Sequence, residues 1–318
     1  MKSLRISLIT AAFAFLSLGQ PELFGYLISS NNEVKLNFSK KEIRDSSEIA
    51  KIAKEITVRL EGAGSQGSGV IVKKDGNRYT VLTAWHVVKD NALNEELGII
   101  THDGQEYLWE SNSLKKLGKI DMAIFTFTSN RLYKPAIIGN PENVSRGNKI
   151  FVAGFPMPTS SVPISLFRFI NGNVIAKARV PIPDGYQILY SNSTLSGMSG
   201  GSVLDKRGEL VGIHGRSEIY YQSSFEKGKF ISFASNTGTK QGIPITYYQQ
   251  FVRGERIIME NIKEMSSEDY LAKAQSILSK RLMNNVKNDD KFKEVLSLSK
   301  KALNKSPNNS LAFSYIAR

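Results

Sequence analysis

The chain contains no cysteine. That absence excludes disulfide frameworks, thiolate zinc sites, iron–sulfur clusters and cysteine nucleophiles together. Histidine is nearly as scarce, with three in 318 residues: His86, His102 and His214. None stands in an HExxH-type spacing, so a histidine-rich metal centre is not expected, and no cofactor is implied. Long apolar runs are also wanting. The uncharged stretch Ile6–Gly19 would rise about 21 Å as a helix, short of the roughly 30 Å of a hydrocarbon core.

What is abundant is positive charge. Lys and Arg number 42 against 29 Asp and Glu, a net +13. The basic residues come as doublets, such as Lys40-Lys41, Lys73-Lys74 and Lys300-Lys301, interleaved with acids. That dispersion describes a solvated basic surface, and nucleic acid is not an expected partner. Lys2 and Arg5 precede the short apolar stretch, and small residues follow at Ser17 and Gly19. This is the pattern of a secretory signal over residues 1–19, with a retained N-terminal membrane anchor as the alternative; either way the remainder is expected outside the cytoplasm, periplasmic or secreted.

Residues 20–47 have mixed polarity and suit a linker or pro-segment. Ser47 followed by EIAKIAKEI reads as a short capped helix with Ile49, Ile52, Ala53 and Ile56 on one face. From Thr57 the pattern turns to β-branched runs punctuated by glycine and Asn/Asp turns: ITVRL, GVIVKK, YTVLTA, DMAIFTF, NKIFVAGF, GYQILYS, GSVL, ELVGIHG and KFISFAS. KKDGNR and DKRGE between such runs read as hairpin turns. Many short strands over residues 48–255 point to a mainly β fold, a barrel or sandwich. Residues 266–318 carry helical spacing in EDYLAKAQSILSKRL and KFKEVLSLSKKALNK, and ALNKSPNNSLAFSYIAR resembles a join between two tetratricopeptide units. A plain helical tail packed on the barrel is the other reading, and either offers a surface for a protein partner.

Three stretches carry chemistry, in the order His, Asp, Ser: TAWHVV with His86, DMAIF with Asp121, and SGMSGGSV with Ser199. A serine hydroxyl is a poor nucleophile near neutrality and needs a base within hydrogen-bond reach. Histidine suits that work, and a carboxylate on its other nitrogen fixes the tautomer and stabilises the imidazolium. The glycines allow a tight turn that leaves the amides of Gly197 and Ser199 free to face an oxyanion. Asp90 and Asp103 are nearer to His86 in sequence, but neither opens an apolar strand.

These motifs, together and in this order, resemble the TAAH, DxAxL-type and GDSGGP or GNSGG motifs of trypsin-like (chymotrypsin-fold) serine proteases, over about Glu55 to Val252. The likeness extends to exported bacterial members, including cyanobacterial ones with a helical-repeat tail. It implies a double β-barrel with the site in the cleft between barrels. His86 would be the general base, Asp121 its orienting acid, Ser199 the nucleophile, and Gly197 with Ser199 the oxyanion hole. Three residues depart from the pattern. Trp85 replaces a small residue, which requires either local room or a displaced loop. Met198 stands where many vertebrate members have aspartate, and Ser202 replaces proline. No PDZ-like stretch follows residue 250.

Thr194, five positions before Ser199, and His214, fifteen after it, resemble the threonine and histidine that contact the acidic side chain in staphylococcal-type glutamyl endopeptidases. An acidic P1 residue is therefore expected, with Arg216 as a long-range contributor; the alternative is that His214 packs behind the pocket. The expected function is an exported serine endopeptidase acting on proteins or peptides through an acyl-enzyme. An inactive pseudoprotease serving as a scaffold is a second reading. An esterase is a third, disfavoured because no strand–serine–helix elbow surrounds Ser199.

Overall fold

The computed structural model describes residues 27–30, 33–36, 43–63, 66–91, 96–226, 229–257, 265–284 and 289–316. The expected signal segment, 1–19, lies outside them. Leu27–Ser30 (β1) and Glu33–Leu36 (β2) pair antiparallel, with Leu27 opposite Leu36. They stand in a stretch read as a linker, and strands of four residues are too short to establish a period.

Ser46–Ile56 forms the first helix (α1), and Ile49, Ala53 and Ile56 on one face are buried. Its cap is Asp45, not Ser47: Asp45 Oδ1 accepts the amides of Ser47 at 2.7 Å and Glu48 at 2.9 Å. A carboxylate satisfies these otherwise unpaired N–H groups and also complements the positive end of the helix dipole.

The first large sheet contains Thr57–Gly62 (β3), Gln66–Asp75 (β4), Arg78–Thr83 (β5), Leu97–Ile100 (β6), Glu106–Leu108 (β7), Glu110–Lys116 (β8) and Ala123–Thr128 (β9). Their order is β7-β6-β3-β4-β5-β9-β8. Asp75 pairs with Arg78, so Gly76 and Asn77 form the hairpin turn expected from KKDGNR. The second sheet contains Lys149–Gly154 (β10), Arg168–Ile182 (β11), Tyr186–Tyr190 (β12), Ser202–Leu204 (β13), Leu210–Glu226 (β14) and Lys229–Pro244 (β15). It closes as a barrel in the order β10-β11-β12-β15-β14-β13. The fold is thus mainly β, and its closed six-strand barrel and half-barrel sheet correspond to the expected double β-barrel.

Alternation along the strands supplies the cores. Val70, Val81, Leu82, Phe125 and Phe127 are fully buried in the larger core; Ile150, Val152, Ile188, Tyr190, Met198 and Val203 pack together in the barrel. After the barrel come the helices Thr246–Val252, Ser267–Asn284, Asp289–Lys305 and Ser310–Ile316. The last three bury Leu271, Ala302 and Ala312 in a small cluster of their own, and Asp269 pairs with Arg179 of β11. No helix among the described residues is long and apolar enough to cross a membrane.

The two sheets are tied by a fully buried hydroxyl pair, Thr57 Oγ1 to Ser202 Oγ at 3.0 Å. Thr57→Val strands the Ser202 hydroxyl and should cost about 1–3 kcal/mol. Adding Ser202→Ala should recover part of that loss. Urea unfolding of the two single variants and the double variant measures this coupling, and simple additivity would contradict it.

Candidate active site

The Asp121 carboxylate organises one half of the site. Trp85–Val88 (α2) is a single helical turn, whose first N–H groups have no partners within the helix. Asp121 Oδ1 accepts the His86 backbone N–H at 2.9 Å, while Oδ2 lies 2.7 Å from His86 Nδ1. One carboxylate therefore fixes both the backbone and the ring of the histidine. The barrel completes its surroundings: Tyr186 donates its hydroxyl to Oδ2 at 2.5 Å, and the Asp121 N–H donates to the Asp184 carbonyl at 2.9 Å. Burial disfavours the Asp121 charge, but the hydrogen bonds and charge of His86 and the Tyr186 hydroxyl outweigh it, holding the carboxyl below its ordinary range. Burial and the adjacent carboxylate push the Tyr186 phenol up, so it remains a donor. Asp90 and Asp103 lie elsewhere, the first beside Lys89 and the second bonded to Thr101 and Tyr133.

The serine loop is shaped by close backbone approaches. Gly200 has φ +83°, and a Cβ there would lie 2.1 Å from the Ser68 carbonyl oxygen and 2.2 Å from Thr83 Oγ1. The Ser199–Gly200 segment can therefore press against the strand end that leads into His86. Gly197 has φ +92°, with the Met157 nitrogen 2.5 Å from where its Cβ would be. That contact has a purpose. Met157 N–H donates to the Ser196 carbonyl at 2.8 Å, and Gly201 N–H donates to the Met198 carbonyl at 3.0 Å. In a trans peptide the C=O and N–H point in opposite directions. Anchoring these two carbonyls therefore turns the N–H groups of Gly197 and Ser199 the other way, and among the described residues neither finds a protein acceptor.

Ser68 was not singled out in the sequence, yet it braces this loop. Its hydroxyl donates to the Gly197 carbonyl at 2.9 Å and accepts the Phe155 N–H at 2.8 Å, while its own N–H reaches the Ser199 carbonyl at 2.9 Å. Only its place between two glycines hinted at such close packing.

The Ser199 hydroxyl donates to the Gly215 carbonyl at 2.7 Å. No hydrogen bond joins it to His86 among the described residues. Trp85 has room: Lys116 Nζ sits 5.0 Å above its ring, and both line a cavity of about 370 Å³ beside His86, Asp121, Tyr186 and Arg216. Met198 is fully buried in the barrel core.

Thr194 and His214 are both nearly buried, at 7% and 3% exposure. His214 Nδ1 lies 2.7 Å from the Tyr190 hydroxyl, and its backbone brackets the serine loop through Gly200 and Gly201. Burial, then the charges of Lys240 and His86, lower its pKa from 6.5 to about 3. The native imidazole thus stays neutral while an unfolded one takes up a proton, so stability should be full above pH 6.5 and decline as pH falls toward 3. Thermal midpoints measured across that window should drop for the wild type and flatten in His214→Gln; parallel curves would contradict this assignment.

Residues 67–213 match the family model described as a trypsin-like peptidase domain. Among curated proteins, a "Serine protease HtrA-like" of Staphylococcus aureus (strain bovine RF122 / ET3-1) is 28% identical over 163 residues, covering 46% of this chain and 19% of that protein. Its namesake in Staphylococcus epidermidis (strain ATCC 35984) is 29% identical over 159 residues, covering 46% and 26%. The chain therefore spans about a quarter or less of these relatives. Two solved structures of the HtrA-type protease AlgW with tripeptide align with TM-scores of 0.49 and 0.47, at 18% and 19% identity, over 66% and 67% of this chain and 63% and 65% of theirs. Over residues 67–213 the chain is thus similar to the trypsin-like serine proteases.

Proposed function

We propose that this protein is an exported serine endopeptidase that hydrolyses peptide bonds through an acyl-enzyme on Ser199, with preference for an acidic P1 residue. The observation that carries this reading is the double engagement of His86 by Asp121, set beside two amides with no protein acceptor. Asp121 on Nδ1 leaves Nε2 as the basic nitrogen. Rotation about the Ser199 Cα–Cβ bond releases Oγ from Gly215 and offers its proton to His86; catalytic hydrogen bonds are often unformed before substrate binds. Oγ then bonds to the scissile carbonyl carbon while His86 takes the proton. The carbonyl oxygen becomes an oxyanion held by the Gly197 and Ser199 amides. Collapse breaks the C–N bond, His86 protonates the departing amine, and water repeats the sequence on the acyl ester. A glutamate or aspartate side chain would lie near Thr194 and accept a hydrogen bond from neutral His214.

A second reading, an inactive scaffold, draws support from the Ser199 hydroxyl resting on Gly215 instead of His86. A fluorophosphonate probe separates the two. Labelling of the folded wild type, absent in Ser199→Ala, is the expected result, and an unlabelled folded wild type would favour the scaffold.

Asp121→Asn should lower kcat by about four orders of magnitude, because the amide favours the wrong imidazole tautomer. Near-full activity in that variant would show that another group orients His86. In a peptide library, cleavage should concentrate after Glu and Asp. Strong cleavage after Arg, Lys or large aromatics with none after acids would remove the acidic preference.

A further inference from the structure

An acidic side chain brought beside residues as buried as Thr194 and His214 needs a positive charge, and neither His214 nor Arg216 offers one. His214 is held neutral. Arg216 is committed: its guanidinium lies 4.1 Å over the Tyr186 ring, its Nε donates to Gln241 at 3.0 Å, and it pairs with Asp184 at 3.4 Å.

A third basic residue stands in the same part of the barrel. Lys240 on β15 is opposite Tyr190 of β12 on one side and Ser217 of β14 on the other. Two residues further, Gly242 is opposite Ile188 and His214. Directly opposed residues in an antiparallel sheet share a face, as do residues two apart on one strand. Lys240, Tyr190 and His214 therefore project on the same side of the barrel wall. Gly242 makes room between them, since a Cβ there would stand 2.9 Å from the Tyr190 ring.

Lys240 is only 5% exposed. Its ammonium donates to Ser217 Oγ at 2.8 Å, and among the described residues no carboxylate lies within ion-pair distance of it. An ammonium has three donors, and this contact uses one. Lysine is rarely buried without a counter-charge, because desolvation penalises the charged form. That penalty lowers the Lys240 pKa, and its charge is felt at His214. A buried cation of this kind is stabilised once an anion enters.

We infer that Lys240 is the specificity-determining cation of the pocket, pairing with the carboxylate of a substrate's acidic P1 residue beside the His214 N–H. This rests on the peptidase reading above and adds to it the source of the charge. The neutral isostere glutamine could accept a hydrogen bond but would leave the ammonium without a counter-charge, so discrimination falls on charge and not on size.

The test compares kcat/KM for two peptides that differ only in Glu or Gln at P1, in wild type, Lys240→Met and Lys240→Arg. The Glu-to-Gln ratio should be well above one in wild type, fall about 10–100-fold in Lys240→Met, and return in large part in Lys240→Arg. Should Lys240→Met fail to fold, Lys240→Gln supports the same comparison with a polar head in place. An unchanged ratio in the methionine or glutamine variant overturns the inference. So does a ratio near one in a wild type whose Ser199 still takes the phosphonate label. A folded wild type that takes no label overturns the peptidase reading, and this inference with it.

Discussion

The Asp121 carboxylate is the contact on which the site depends. It is nearly buried, and a buried carboxylate is tolerable only when donors surround it. Those donors come from different parts of the chain: the main chain and ring of His86 from the half-barrel side, and the Tyr186 hydroxyl from the closed barrel. The single-turn helix bearing His86 thus owes its orientation to a side chain thirty-five residues away, and the barrel secures that side chain in turn. Losing any one donor would leave charge in a poorly solvated place, which makes the arrangement self-enforcing.

The same economy governs the serine loop. Its two outward amides need no direct support, because each is set by the opposite end of its own peptide plane. Met157 and Gly201 hold those carbonyl ends, and Ser68 reaches across from β4 to hold the Gly197 carbonyl. Glycine at 197 and 200 follows from geometry, since positive φ and backbone contacts under 3 Å leave no space for a side chain. Electrostatic stabilisation of a developing oxyanion works best when donors are aimed beforehand, and under the proposed function this loop would supply them.

Legibility in the sequence followed locality. The strands with β-branched runs were readable, as were the turn at Gly76 and the helix whose buried residues repeat at three and four. His86, Asp121 and Ser199 stood out because each sits in a short, distinctive string. β6 and β7 escaped notice because three or four residues show no period. β8 and β11 escaped because they are largely half-buried, without a clean alternation, and carry charged residues along their length. The cap at Asp45 was displaced by two residues from the reading, since serine and aspartate serve equally in the string DSSE. Ser68, Tyr186 and Lys240 belong to no motif. Their importance lies in cross-strand register and in contacts between residues distant in sequence. The charge state of His214 was equally hidden, because burial decides it.

The central claim is that an acyl group is carried on Ser199 with His86 as the base. Rapid mixing with an activated ester of an N-blocked glutamate, quenched at short times and followed by intact-mass and peptide mapping, observes this directly. The account predicts a transient adduct of the acyl mass on the peptide containing Ser199, reduced strongly in His86→Ala. Ester turnover with no adduct, or an adduct mapped to another residue, would contradict it.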